Sequence, residues 1–206
     1  MENIFTFIGG ILASFIAWLV VSNVLKPHLE IDKKIYKYKS IDNPGYFVYK
    51  VKVTNKRLFL NVYDVNLSAR VYIYGLDPES PHEFRMYIIN PGAKYVPNIV
   101  SKKRRGNSIS TNERYFTIYP PFGENKEKKK GKLRRLYNKK HEEEPKNEIF
   151  TVEDVFNIVD NPTNKTTIEF SVTATSGFSA ARASFTEYFN IDSIEPIDKY
   201  DNDNSD

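Results

Sequence analysis

Residues 60–74 read LNVYDVNLSARVYIY, and this stretch decides the fold. Leu60 and Val62 share one phase of a two-residue alternation, and Val65, Leu67, Ala69, Val71 and Ile73 share the other. Successive side chains of a strand point to opposite faces, so the pattern predicts a long strand with one buried face. The change of phase near Asp64 predicts a bulge or bend in it.

The same period extends to either side. In YFVYKVKVTN, residues 46–55, Phe47, Tyr49, Val51 and Val53 face one way while Lys50 and Lys52 face the other. An earlier strand begins with Leu29, Ile31 and Ile35. Others are expected at Phe84–Ile89, Tyr115–Tyr119, Thr166–Thr175 (Ile168, Phe170, Val172 and Ala174 aligned) and Phe178–Phe189. Breakers fall between them at Asp42-Asn43-Pro44-Gly45, Asp77-Pro78 to Pro81, Asn90-Pro91-Gly92, Pro120-Pro121 and Ser176-Gly177. About seven short strands with turns so spaced predict a mainly β fold, a β-sandwich. One helix is expected after Thr151, an N-cap with Glu153 and Asp154 in the first turn, because Val152, Val155, Phe156 and Val159 recur at helical spacing.

Composition narrows the chemistry. The chain has 206 residues, 40% hydrophobic and 14% aromatic, which accommodates one domain with additions. It has no cysteine, which excludes a disulfide framework, a thiol nucleophile and any thiolate metal site. His28, His82 and His141 are scattered beside a chain exit, a Pro-rich turn and a basic run, and none is placed as a general base. No Gly-x-Ser-x-Gly elbow, P-loop, dinucleotide fingerprint or paired metal ligands occur. Glu142-Glu143-Glu144 lacks the Gly turn of a calcium loop and reads as a solvated charge block. The expectation is a non-enzyme without a catalytic, cofactor-binding or metal site.

Before the strands, Ile4–Leu25 reads IFTFIGGILASFIAWLVVSNVL, 22 residues without a charge, followed by Lys26 and Pro27. At about 1.5 Å per residue this helix measures roughly 33 Å, enough for a hydrocarbon core of about 30 Å. A cleavable signal peptide would need a basic leader and a shorter apolar run, whereas this one starts Met-Glu-Asn. Lys26, Lys33, Lys34, Lys37 and Lys39 follow the span, so the positive-inside rule puts the rest of the chain in the cytoplasm. The expectation is a single-pass protein of the cell's inner (plasma) membrane. Gly9, Ala13 and Ala17 lie four apart, with Gly10 and Ser14 beside them, a small-residue face suited to helix–helix contact in lipid. The expected organisation is a transmembrane anchor over 1–26, a sandwich over 27–195 with a basic insertion at about 123–147, and a disordered acidic tail over 196–206, where little can be buried.

Charge is segregated. Residues 102–140 hold 14 Lys and Arg against three Glu, so a chain of net charge +4 carries +11 here and about −7 elsewhere. One cluster is Lys102-Lys103-Arg104-Arg105. The other runs from Lys126 to Lys140, includes Lys128, Lys129, Lys130, Arg134 and Arg135, and is interrupted by Leu133, Leu136 and Tyr137, as in a short helix with a narrow apolar stripe or a flexible insertion. A solvated loop, contact with anionic lipid headgroups and contact with nucleic-acid phosphates all fit such clusters.

Lys26-Pro27, His28-Leu29-Glu30-Ile31, Pro44-Gly45, Tyr49 to Val53, Asn55-Lys56-Arg57 and the strand through Val65 together resemble the cytoplasmic domain of inward-rectifier potassium channels. Gly177, Ala180 to Phe185 and Asp192-Ser193-Ile194 are similar to that family's later hairpin and the strand after it. The resemblance implies an immunoglobulin-like domain below a membrane helix, tetrameric assembly and response to anionic lipids, with Lys26, Lys33 and Lys34 in the region of the family's lipid-contacting linker. The chain has one span, no pore helix and no Gly-Tyr-Gly filter, Glu195-Pro196 replaces an aromatic strand, and the basic insertion has no counterpart. The expected function is a membrane-anchored, non-catalytic interaction or sensing module that self-associates or binds a partner membrane protein. The alternative is a membrane-tethered effector binding nucleic acid or nucleotide through residues 102–140.

Overall fold

A computed structural model describes residues 2–41, 45–57, 60–76, 79, 83–89, 91–101, 104–105, 108–109, 112–118, 132–141, 150–159 and 166–200. A helix, α1 (Glu2–Val24), precedes β1 (Leu29–Lys39), β2 (Phe47–Asn55), β3 (Val62–Tyr74), β4 (Phe84–Ile89) and β5 (Tyr95–Ile99). Then come β6 (Arg104–Arg105), β7 (Ser108–Ile109), β8 (Glu113–Ile118), α2 (Lys132–Lys140), α3 (Val152–Phe156), β9 (Thr166–Ser176), β10 (Arg182–Phe189) and β11 (Ile194–Tyr200). The fold is mainly β, as the alternation predicts.

Two sheets make the body. The first has the order β11-β1-β2-β8, and the second β10-β9-β3-β4, with β5 also paired to β3. β4 and β5 lie end to end along one edge of β3: Ala69 to Tyr74 face Ile89 to Phe84, and Val62 to Asn66 face Ile99 to Tyr95. The corner between them contains Gly92, whose φ of 71° suits a residue without a Cβ. Ile35, Tyr49, Val51 and Val53 of the first sheet and Val65, Val71, Ile168, Phe170 and Val172 of the second are buried in one core. Phe116 and Phe170 bridge the sheets with ring centroids 6.5 Å apart.

The bulge predicted near Asp64 is present. Pairing with β9 steps from Tyr63–Thr175 to Asn66–Thr173, leaving one extra residue in β3, and Asp64 has φ 50°. The Tyr95 hydroxyl donates to Asp64 Oδ1 at 3.1 Å and Asn66 Nδ2 donates to the Asp64 carbonyl at 2.9 Å, which hold the left-handed turn in place. The slip carries buried positions from Val62 to Val65, so both halves of β3 serve the same core.

The helix after Thr151 is also present and capped at both partners of the box. Asp154 N–H donates to Thr151 Oγ1 at 3.3 Å, and Thr151 N–H donates to Asp154 Oδ2 at 2.6 Å. Glu153 accepts hydrogen bonds from the Tyr49 hydroxyl and Lys37 Nζ, latching α3 onto β1 and β2. Burial, then the bond to Glu153, push the Tyr49 hydroxyl well above its ordinary value of 10.0, and burial and Asp32 do the same to Tyr36. Above about pH 10 the unfolded chain loses phenol protons that the folded chain keeps, so stability falls as pH rises. Urea midpoints are expected to stay level up to about pH 10 and drop beyond it, with a shallower drop in Tyr49→Phe.

Two expectations are corrected. The tail expected to be disordered from 196 instead forms β11 through Tyr200, parallel to β1 with Ile35 opposite Ile194. Exposed ion pairs flank the pairing: Lys34 pairs with Glu195, and Lys39 Nζ lies 3.8 Å from Asp198 Oδ1. Residues 201–206 lie outside the described residues. The last hairpin strand starts at Arg182, not Phe178, because 177–180 form a turn in which Ala180 has φ 54°. Within the insertion expected at 123–147, α2 takes the helical alternative, with Leu133 buried and Leu136 and Tyr137 packed on the core.

Candidate functional site

Where α1 ends, four connections meet. Pro27 is buried, and β1 starts with Leu29 opposite Asn55, the last residue of β2. Lys56 N–H donates to the His28 carbonyl at 2.9 Å, and Arg57 Nε donates to the Lys26 carbonyl at 3.3 Å. From the β9–β10 turn, Ser179 Oγ donates to the Leu25 carbonyl at 3.1 Å. The two carbonyls that follow α1 are thus held by side chains of the sandwich. The turn itself is drawn tight by Ser176 Oγ, which accepts from the N–H groups of Phe178 and Ser179 at 3.4 Å each, and it presents Phe178 with 73% of its surface exposed.

Asn55 is the hub of this end. It is fully buried, and its Nδ2 reaches the carbonyls of Leu60 at 2.9 Å, Ile99 at 3.3 Å and Val100 at 3.4 Å. Its Oδ1 accepts from Arg57 N–H at 3.0 Å. Its backbone N–H donates to the Asn112 carbonyl at 2.9 Å, and Asn112 Nδ2 returns a bond to the Asn55 carbonyl at 2.8 Å. Val100 and Asn112 are the two feet of the segment containing the β6–β7 hairpin, in which Arg104 pairs with Ile109 and Arg105 with Ser108. One asparagine therefore holds both feet of this segment beside the α1 exit.

The basic residues singled out from sequence separate into groups. Lys26 is exposed at the α1 exit, and Arg104 and Arg105 form β6 in the hairpin rooted there. Lys33 and Lys34 are exposed in a bulge of β1, where two residues too many stand between the pairs Ile31–Val53 and Ile35–Val51. Lys34 is engaged with Glu195, whose hydrogen bond and charge raise its pKa. Arg134 and Arg135 lie on α2, which packs with α3 at the opposite end, where Glu153 meets Lys37 and Tyr49. Six residue steps of β2, about 20 Å at roughly 3.3 Å per residue, separate Tyr49 at that end from Asn55. Lys102, Lys103, Lys128, Lys129 and Lys130 lie outside the described residues.

On α1, Gly9, Ala13 and Ala17 fall in one helical row, and every side chain described from Phe5 to Val21 is exposed, among them Phe7, Ile11, Phe15 and Trp18. Among the described residues no helix is long and apolar enough to cross a membrane; side chains are described over 17 of the 23 residues of α1. No group of three or more His, Asp or Glu among the described residues is arranged to hold a metal ion.

No protein-family model matches the chain, and no curated protein is significantly similar to it.

Proposed function

We propose that the protein is a single-pass membrane-anchored, non-catalytic interaction module: α1 lies in the bilayer, and the sandwich stands on the cytoplasmic face with its Asn55 end toward the lipid. The observation that carries this is α1 itself. It continues into the sandwich through bonded carbonyls yet buries none of its described apolar side chains. An uncharged run of 22 residues exposed in water has no solvent-side rationale, whereas lipid satisfies it. The immunoglobulin-like reading and the likeness to inward-rectifier cytoplasmic domains belong to this proposal; the two facing sheets and the basic exit at Lys26 support them.

The separation of charge clusters refines the expected lipid contact. Lys and Arg near an anionic leaflet gain about 1 kcal/mol each, within a Debye length of about 8 Å. Lys26 and the β6–β7 hairpin fall at the lipid end, while Arg134 and Arg135, on the helix at the Tyr49 end about 20 Å away along β2, are beyond its reach. Carbonate extraction of membranes from expressing cells is the test, with protease added to intact cells and to inverted vesicles. The chain is expected to stay in the pellet, and the sandwich to be cleaved only in inverted vesicles. Release by carbonate, or cleavage from outside, overturns the proposal.

A further inference from the structure

The two sheets differ in what they show to solvent. β1 and β2 together present Lys33, Lys34, Lys37, Lys39, Lys50 and Lys52, whereas β3, β4, β9 and β10 contain no lysine in a chain with 30 Lys and Arg. On the outer face of the second sheet, Tyr74 stands opposite Phe84, and Tyr72 opposite Met86. Ile88 follows opposite Arg70. Phe84 is 53% exposed, Met86 49% and Ile88 76%, and the Phe84 ring lies 5.6 Å from that of Tyr72 and 5.5 Å from that of Tyr74.

A polar border closes the patch. Glu169, itself buried, accepts from Arg70 Nη1 at 3.1 Å, the Tyr72 hydroxyl at 2.8 Å and Ser171 Oγ at 3.1 Å. Ser171–Thr186 and Thr173–Ser184 pairs continue it across β9 and β10. An apolar centre of Tyr, Phe and Met without lysine, bordered by a satisfied ion pair and hydroxyls, has the composition of a protein–protein interface.

We propose that this face packs against the same face of a second copy of the chain, the two sheets stacked about a two-fold axis running along β3. The area suits it. The exposed parts of Phe84, Met86, Ile88 and Tyr74 amount to on the order of 400 Å² per copy. With the border, two copies reach the roughly 1,000 Å² that a specific contact needs. Symmetry selects the face over the edge. Antiparallel β4–β4 pairing needs a two-fold axis across the strands and would put the two α1 exits at opposite ends of the dimer. An axis along β3 keeps both at the same end, and it brings Met86 of each copy close to the axis. This orientation argument rests on the anchoring proposed above, and anchoring in one membrane also raises the local concentration, so a contact of modest area suffices.

The chain has no cysteine, so in crosslinking within membranes the introduced residue is its one maleimide-reactive thiol. With a bis-maleimide, Met86→Cys is expected to give a dimer of twice the chain mass. Thr117→Cys, on the outer face of the other sheet, is expected to give none. Adding Ile88→Glu to Met86→Cys should abolish the dimer while the thermal midpoint holds, since Ile88 is largely exposed. Absence of the Met86→Cys dimer, equal crosslinking through Thr117→Cys, or a product whose mass requires a different protein overturns the proposal. Carbonate extraction of the same membranes reads the anchoring separately. Release with the dimer intact removes the anchor and leaves the interface, and retention without a dimer does the reverse.

Discussion

Asn55→Ala is expected to cost about 3 kcal/mol, a large share of the roughly 5–15 kcal/mol that stabilises a domain. The substitution removes an amide that serves the carbonyls of Leu60, Ile99 and Val100 and the N–H of Arg57. The site is closed to solvent, so those groups gain no water in return, and each unsatisfied buried group costs about 1–3 kcal/mol. Asn55→Asp is expected to be at least as damaging, because a carboxylate repels the three carbonyls that Nδ2 now serves. Urea unfolding followed by tryptophan-independent circular dichroism measures the loss. Lys56→Ala is the comparison: Lys56 is paired with Glu30 at the surface, and its removal is expected to cost under about 1 kcal/mol.

Replacing Leu12 and Phe15 together with arginine is expected to move the chain from the membrane pellet to the soluble or aggregated fraction. On the proposed anchoring, each arginine near the centre of α1 adds about 2.5–3.5 kcal/mol to insertion, so the pair shifts the equilibrium by several orders of magnitude. Replacing the same two residues with alanine keeps the helix uncharged and is expected to leave the protein membrane-bound. Quantitative blotting of carbonate-washed pellets distinguishes the outcomes. Membrane retention of the double-arginine chain equal to that of the double-alanine chain would count against insertion of α1.

The strands legible in the sequence are those whose inward side is apolar at every second position. β2, β3 and β9 announce themselves this way, and the bulge at Asp64 shows as a break in phase because two buried runs must share one core. The Thr151–Asp154 box is equally local. β5 is missed because only Val96 and Ile99 are buried and Pro97 interrupts the run, a residue tolerated on an edge strand. β11 is missed because it pairs with β1 through its backbone and, among its described side chains, only Ile194 packs on the core, so it carries no apolar alternation, and its exposed ion pairs with Lys34 and Lys39 leave no periodic trace. The basic clusters were visible, but their placement at opposite ends of the sandwich was not. That depends on Asn55 fixing one loop and on α3 carrying the other segment to the Lys37 end. The face containing Phe84, Met86 and Ile88 reads as a strand in the sequence, with no sign of which side is covered.

The pairing of β1 with β11 has a bearing on biosynthesis. β1 takes its outer neighbour from Ile194–Tyr200, far downstream in the chain, so that side of β1 stays unpaired until those residues have been synthesised. Until then its Lys-rich sequence, LEIDKKIYKYK, guards that side against joining a neighbouring nascent chain. Truncations that end before Ile194 should therefore yield a product that folds late or recruits chaperones, even though they remove almost nothing from the apolar interior.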